Sequence, residues 1–288
     1  MILRGDNAAF LVACLVALFL AYMELAPDGR TAVTFLAVAV VTMGLPHGAI
    51  DAWYAERRGF TGDGWQGSVV FYLWYTGLAV LTAVVWFLFP VFSLCVFLLI
   101  SAWHFSGDWR DHLVSLERLA AGITLVSLPA LFHPESVQVL YSALTGEPSS
   151  TIVVAQGFSA VVFGVFLSLS ILYRAPRQPQ FLFESSILLV CAWALPPITF
   201  FLVYFCGLHS VRHLLRVLKG AGYRVGLSAF LHTLLAVLIA MTAWIIFPAH
   251  IEIEQLLLGT VFIGLASLTV PHMLLHDVLA HLHKAENS

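Results

Sequence analysis

The chain has 288 residues, 60% of them hydrophobic and only 10% charged, with a net charge of −3 and a mean hydropathy of +0.94. Soluble domains are about a quarter charged, so this composition excludes a soluble globular protein and predicts an integral membrane protein. The slight acidity gives no sign of a nucleic-acid partner. In chain order, apolar segments run over Ala8–Leu25, Thr31–Ile50, Ser68–Leu88, Val91–Ala102, Leu113–Leu131, Ile152–Leu172, Phe181–Leu195, Ile198–Leu208, Ser228–Phe247 and Leu256–Val270. As helices, most are long enough, alone or with flanking residues, to cross roughly 30 Å of hydrocarbon. The expectation is all-α: a polytopic transmembrane helix bundle of about eight to ten spans. No soluble domain fits between the segments, so residues 1–288 are expected to form a single integral-membrane domain. Arg4 precedes the first segment and no small-residue cleavage site follows it, so that segment is expected to be retained. The longest loop is expected over roughly His133–Ser150.

Pro196-Pro197 in "WALPPITF" removes two backbone donors and predicts a break, with spans over Phe181–Leu195 and Ile198–Leu218. With that break there are ten spans, both termini lie on one side, and of the 13 Lys and Arg only Arg30 faces the other. Without it, the Arg212–Arg224 cluster falls on the wrong side. The positive-inside rule therefore favours the break and cytoplasmic termini, in the inner (plasma) membrane of a cell. Cys14, Cys95, Cys191 and Cys206 lie inside apolar segments without metal-type spacing and read as packing residues.

The 12 histidines carry the chemistry. His112, His133, His250, His281 and His283 fall in or near loops, as solvated polar residues, and His232 lies within reach of the cytoplasmic face. The rest sit in four short motifs: His47 in "LPHGAID", His104 in "SAWHFSGDW", His209 and His213 in "GLHSVRH", and His272 and His276 in "VPHMLLHD". All four motifs lie on even-numbered spans, and their helical depth puts His47, His104, His209, His213 and His272 in one layer of the cytoplasmic half of the membrane. Several imidazoles at one depth in a medium without water need partners. His209 and His213 are four residues apart, on one helical face, close enough to ligate one ion together. Imidazole suits iron, copper, zinc or nickel, and facing helices of a bundle are where such sites are built, so a metal site between helices is expected. Asp51 and Asp108 each follow a histidine by four residues, the place for an acceptor that fixes the tautomer of that histidine or of a neighbour. Pro46 and Pro271 stand directly before His47 and His272, where a kink turns the next side chain inward.

"GLPHGAID", "WHFSGDW", "HSVRH" and "VPHM", in this order on apolar segments, resemble the Brp/Blh family of bacterial and archaeal membrane β-carotene 15,15′-dioxygenases, over roughly residues 40–280. The resemblance implies one catalytic domain that cleaves the central double bond of β-carotene with O2 at a non-haem Fe(II), giving two molecules of retinal for a rhodopsin. Carried over residue by residue, the iron ligands are His47, His104, His209 and His213. Asp51 and Asp108, by their spacing, are candidates for orienting those ligands, and His272 matches the family's later PH motif, as a fifth ligand, an orienting residue or a structural one. The family's first motif often continues with a histidine after the aspartate, where this chain has Ala52. An apolar polyene dissolves in the bilayer, and an aromatic-lined path to the metal is expected from among Trp53, Trp103, Phe105, Trp109, Tyr204 and Phe205.

Other classes fit less well. An opsin needs a lysine inside a span, and neither Lys219 nor Lys284 is so placed. The HxxHH boxes of a di-iron desaturase and the HExxH of a zinc protease are missing from the sequence. A transporter with a histidine relay is disfavoured because the motifs do not repeat between the halves. A b-type cytochrome, or another non-haem iron membrane oxidoreductase, stays open as the alternative.

Overall fold

In the computed structural model, which describes residues 5–25, 27, 29–61, 64–174, 179–218, 223–246 and 252–279, every regular element among the described residues is helical. Arg4, Arg177, Lys219, His250, His281, His283 and Lys284 lie outside the described residues, as does the side chain of His47. Six helices are long and apolar enough to cross a membrane: Gly64–Leu88, Pro90–Trp109, Ser115–Phe132, Ser150–Tyr173, Pro197–Arg216 and Ile253–His276. Four shorter apolar helices, Asn7–Tyr22, Gly29–Gly44, Pro179–Ala194 and Val225–Ile239, take the remaining predicted segments. Leu73, Phe87, Phe158 and Leu172 are largely exposed on these helices, a surface that water penalises and hydrocarbon accepts.

The elements follow from the local sequence. Helix α1 is Gly5–Tyr22. Helix α2, Gly29–Ala39, passes into a wider π turn over Val40–Gly44 and then into α3, Leu45–Gly48, where Pro46 cannot donate to the preceding turn. After α4 (Asp51–Arg57) come α5 (Gly64–Leu88) and α6 (Pro90–Ser106), the latter tightening to a 3₁₀ turn at Gly107–Trp109. Helix α7 covers Ser115–Phe132. The segment expected as the longest loop instead holds α8, Pro134–Thr145, started by Pro134 and ended by Gly146 at φ 72°. Its apolar residues pack with the neighbouring helices through Val137 and Tyr141, and a short helix of modest polarity is easily read as loop. Helices α9 (Ser150–Arg174) and α10 (Pro179–Ala194) follow. The break at Pro196-Pro197 is present: α11, Pro197–Leu202, opens with Pro197 in its first turn, where a missing N–H costs nothing. A second π turn, Val203–Ser210, leads into α12, Val211–Leu218. The chain continues as α13 (Tyr223–Ile246) and α14 (Ile253–Met273), which ends in a third π turn, Leu274–Leu279.

The chain divides into two compact units. The first comprises Met1–Ala32 and Phe89–His209. At its centre α7 packs on α6, α9 and α10, and α1 lies on α10. Gly122 of α7 meets the backbone of α6 so closely that a Cβ there would overlap the Ala102 carbonyl oxygen, the close approach that small residues permit between apolar helices. Two buried carboxylates here have donors: Glu184 accepts from Trp109 Nε1 and from Gln180 Nε2, both at 2.9 Å, and Glu117 accepts from Ser170 Oγ at 2.6 Å. The second unit comprises Val33–Leu88 and Ser210–Ser288. In it α14 packs along α5, and α3 lies against α12, α13 and α14. Ala55, Phe71 and Leu275 form one buried cluster, with Tyr54 and Tyr75 against it.

Candidate metal centre

Each histidine motif sits where the helix departs from α winding. The π turn Val40–Gly44 directly precedes the helix of Pro46 and His47, Val203–Ser210 contains His209, and Leu274–Leu279 contains His276. His104 occupies the last turn of α6, followed by the 3₁₀ turn that holds Asp108. Proline accounts for two of these. Pro46 has no N–H for the carbonyl of Thr42, inside the first π turn, and Pro271 withholds one from α14 three residues before the third. Altered winding re-aims side chains, and π turns recur at functional sites for that reason.

In the first unit the rings of His104 and His209 lie 4.9 Å apart and edge-on, at 69°. Asp108 Oδ2 accepts from the Tyr204 hydroxyl at 2.8 Å and from His209 Nδ1 at 3.1 Å. Asp108, Tyr204 and His209 are all buried. An imidazole that donates from Nδ1 to a carboxylate keeps its lone pair on Nε2, the nitrogen then able to ligate a cation. Phe105, at 4.9 Å edge-on, and Phe205, stacked at 5.8 Å, pack on the His209 ring and keep its surroundings apolar.

In the second unit Asp51, only 2% exposed, gathers three donors. Tyr75 donates its hydroxyl at 2.8 Å, His272 donates from Nδ1 across both carboxylate oxygens at 2.9 Å, and His276 donates from Nε2 at 2.9 Å. Lone pairs therefore fall on Nε2 of His272 and Nδ1 of His276. His213 joins them, its ring centroid 5.7 Å from that of His272 and 5.5 Å from that of His276. One ligand nitrogen from each of His213, His272 and His276 lies within 4.8 Å of the other two. The Tyr54 ring closes over His276 at 4.0 Å between centroids.

Of the residues singled out in the sequence, His104 and His209 come together with Asp108, and His213 comes together with His272 and Asp51. Each aspartate holds a histidine distant in sequence, Asp108 holding His209 and Asp51 holding His272. His276 is not among the residues the sequence marks for the site, although it follows His272 by the same four residues that mark His209 and His213 as a pair. Tyr75 carries no signal in the sequence, and Tyr204, expected there only as an aromatic lining, meets the site through its hydroxyl. His232 bonds the Tyr72 hydroxyl at 2.8 Å, and His133 bonds the Ala192 carbonyl at 3.1 Å, so both have structural partners.

Helices long and apolar enough for a bilayer, with imidazoles braced by buried carboxylates and three of them close enough together to hold an ion, define the class: an all-helical protein of membrane-spanning composition. Residues 38–280 match the protein family described as beta-carotene 15,15'-dioxygenase. The beta-carotene 15,15'-dioxygenase of uncultured marine bacterium 66A03 is 32% identical over 264 residues, covering 85% of this chain and 93% of that protein. The chain belongs to the β-carotene 15,15′-dioxygenase family and is thereby a carotenoid-cleaving dioxygenase. No solved structure matches it.

Proposed function

We propose that the protein cleaves β-carotene at the 15,15′ double bond with O2 to give two molecules of all-trans-retinal, using non-haem Fe(II) held by histidines of its first three motifs. The ligands carried from the resemblance are His47, His104, His209 and His213. The observation that carries the reading is the pairing of buried carboxylates with these motifs: Asp108 holds His209, and Asp51 holds His272 beside His213. The donor chemistry fits such an ion, since neutral imidazoles suit a late first-row divalent cation. When bound, Fe(II) supplies the one-electron chemistry that lets O2 react with a closed-shell polyene.

The chain's own residues do the rest. Asp108 keeps a proton at His209 Nδ1, and Asp51 keeps one at His272 Nδ1, so the nitrogens that face a cation stay unprotonated. Tyr204 and Tyr75, donating to the same carboxylates, limit their rotation. Phe105 and Phe205 exclude water from the His209 ring, which suits a substrate that dissolves in hydrocarbon. The asymmetry of Lys and Arg along the sequence supports cytoplasmic termini in the inner membrane.

The test is expression in a host that accumulates β-carotene, with products separated by chromatography. Loss of orange colour with retinal as the product supports the reading. A shorter apocarotenal would move the cleavage position, and intact carotene with a Soret band in the purified protein would replace the oxygenase by a b-type cytochrome.

A further inference from the structure

We infer that His213, His272 and His276 together form a cation site of three imidazoles, braced by Asp51 and Tyr75, so that His272 and His276 are ligands in their own right. The inference takes His213 as a ligand from the proposed function and deepens it; the geometry makes a ligand of His272, a fifth-ligand candidate in the sequence, and adds His276.

The nitrogens are already close. Two imidazole nitrogens bound to one ion at about 2.1 Å each lie at most about 4.2 Å apart. The three ligand nitrogens here lie within 4.8 Å of one another. Closing the remainder takes a shift of about 0.6 Å across the widest pair, within the swing of a side-chain torsion. The tautomers agree. His272 gives Nδ1 to Asp51 and His276 gives Nε2, so each keeps a lone pair for an ion on its other nitrogen despite hydrogen bonding through opposite ring positions. That opposition is the mark of a shared acceptor: one carboxylate behind two neighbouring rings reaches the near nitrogen of each.

The backbone explains how one helix provides both. His272 closes α14 and His276 lies in the π turn Leu274–Leu279 that follows Pro271. Leu275, fully buried against Ala55 and Phe71, anchors that turn. Asp51 and Tyr75 approach from α4 and α5. A carboxylate 3% exposed with two imidazoles on it is an orienting group of the kind found behind metal-bound histidines. Three neutral nitrogens select a late first-row divalent ion over Mg²⁺ or Ca²⁺, which prefer oxygen, and they leave other positions of a six-coordinate ion open.

The experiment uses the full chain in detergent, stripped with chelator and titrated with Co(II), whose absorption reports its ligands. Wild type, His272→Ala, His276→Ala and Asp51→Asn are compared, with His112→Ala as the control, and helical circular dichroism and a monodisperse elution profile check folding. The alanine variants are expected to lose a cobalt equivalent or at least about 100-fold in affinity, and Asp51→Asn about 10- to 100-fold. His276, with its side chain 15% exposed, should be rescued by added imidazole, which restores the cobalt spectrum. Wild-type stoichiometry, affinity and spectrum in both alanine variants would overturn the inference. Should those variants fail to fold, the wild-type chain still decides. Diethylpyrocarbonate should modify His276 in the stripped protein and not in the cobalt-loaded one, and equal modification in both overturns the site. The cobalt readout is independent of carotene cleavage, so a failure of the proposed function and a failure of this site are told apart.

Discussion

Replacing Gly122 by alanine tests the packing that positions His104. A Cβ on Gly122 would overlap the carbonyl oxygen of Ala102 and lie 3.0 Å from its carbonyl carbon and 3.1 Å from Ser106 N. Carbon atoms in contact prefer about 3.5–4.0 Å, so the shortfall is about 0.5–1 Å at the carbonyl carbon and larger at the oxygen. Every atom in the way is backbone, so no side chain can turn aside, and α6 and α7 must separate by about 1 Å. Overpacking of this kind costs up to about 3 kcal/mol. The gain of alanine over glycine inside a helix returns about 1 kcal/mol. The net loss of about 2 kcal/mol corresponds to a drop of ~4–8 °C in melting temperature for a chain of this size. Ala102 and Ser106 flank His104 on α6, so the same separation displaces the ring that meets His209, and a misplacement near 1 Å can cost on the order of 100-fold in turnover. The assay is thermal unfolding of the detergent-solubilised chain followed by fluorescence-detected elution, with retinal formation measured in parallel. Gly264→Ala is the internal control: nothing lies within 4 Å of a Cβ there, so its melting point should hold or rise slightly. Equal melting points for Gly122→Ala and wild type would refute the close approach of the two helices and the positioning argument built on it.

Two further outcomes follow from the buried carboxylates. Asp108→Ala takes the acceptor from the Tyr204 hydroxyl and His209 Nδ1. It should lower stability by about 1–3 kcal/mol and metal retention, read by elemental analysis, by about 10- to 100-fold; Asp108→Asn should fall between it and wild type. Trp109→Phe removes the Nε1 donor to fully buried Glu184 and should cost about 1–3 kcal/mol in thermal unfolding. Adding Glu184→Gln should recover part of that loss, because a neutral amide is easier to bury than a carboxylate short of a donor. No recovery would mean that the indole stabilises by packing on Phe181, 5.5 Å away, rather than through the carboxylate.

The helices were legible because burial in hydrocarbon leaves a composition that no other environment tolerates. Each predicted apolar segment falls on a helix, and the break at Pro196-Pro197 follows from two missing donors. The one segment misread, Pro134–Thr145, is short and of mixed polarity, held by Val137 and Tyr141 packing on neighbours that a local pattern does not contain. The motifs were legible too, because a histidine or aspartate amid apolar residues is costly and therefore conspicuous.

Local sequence alone determined that the chain is a membrane helix protein with imidazole chemistry on four of its segments, since both facts depend on what each stretch can bury. Which side chains meet was decided only by the tertiary structure. Asp51 stands four residues from His47 yet holds His272 and His276, 221 and 225 residues away. Asp108 stands four residues from His104 yet holds His209. A helical repeat fixes which neighbours share a face, but not which face meets another helix. That depends on packing, on π turns that re-aim the rings, and on tyrosines such as Tyr75 and Tyr204, whose hydroxyls gain meaning only when a carboxylate is brought to them.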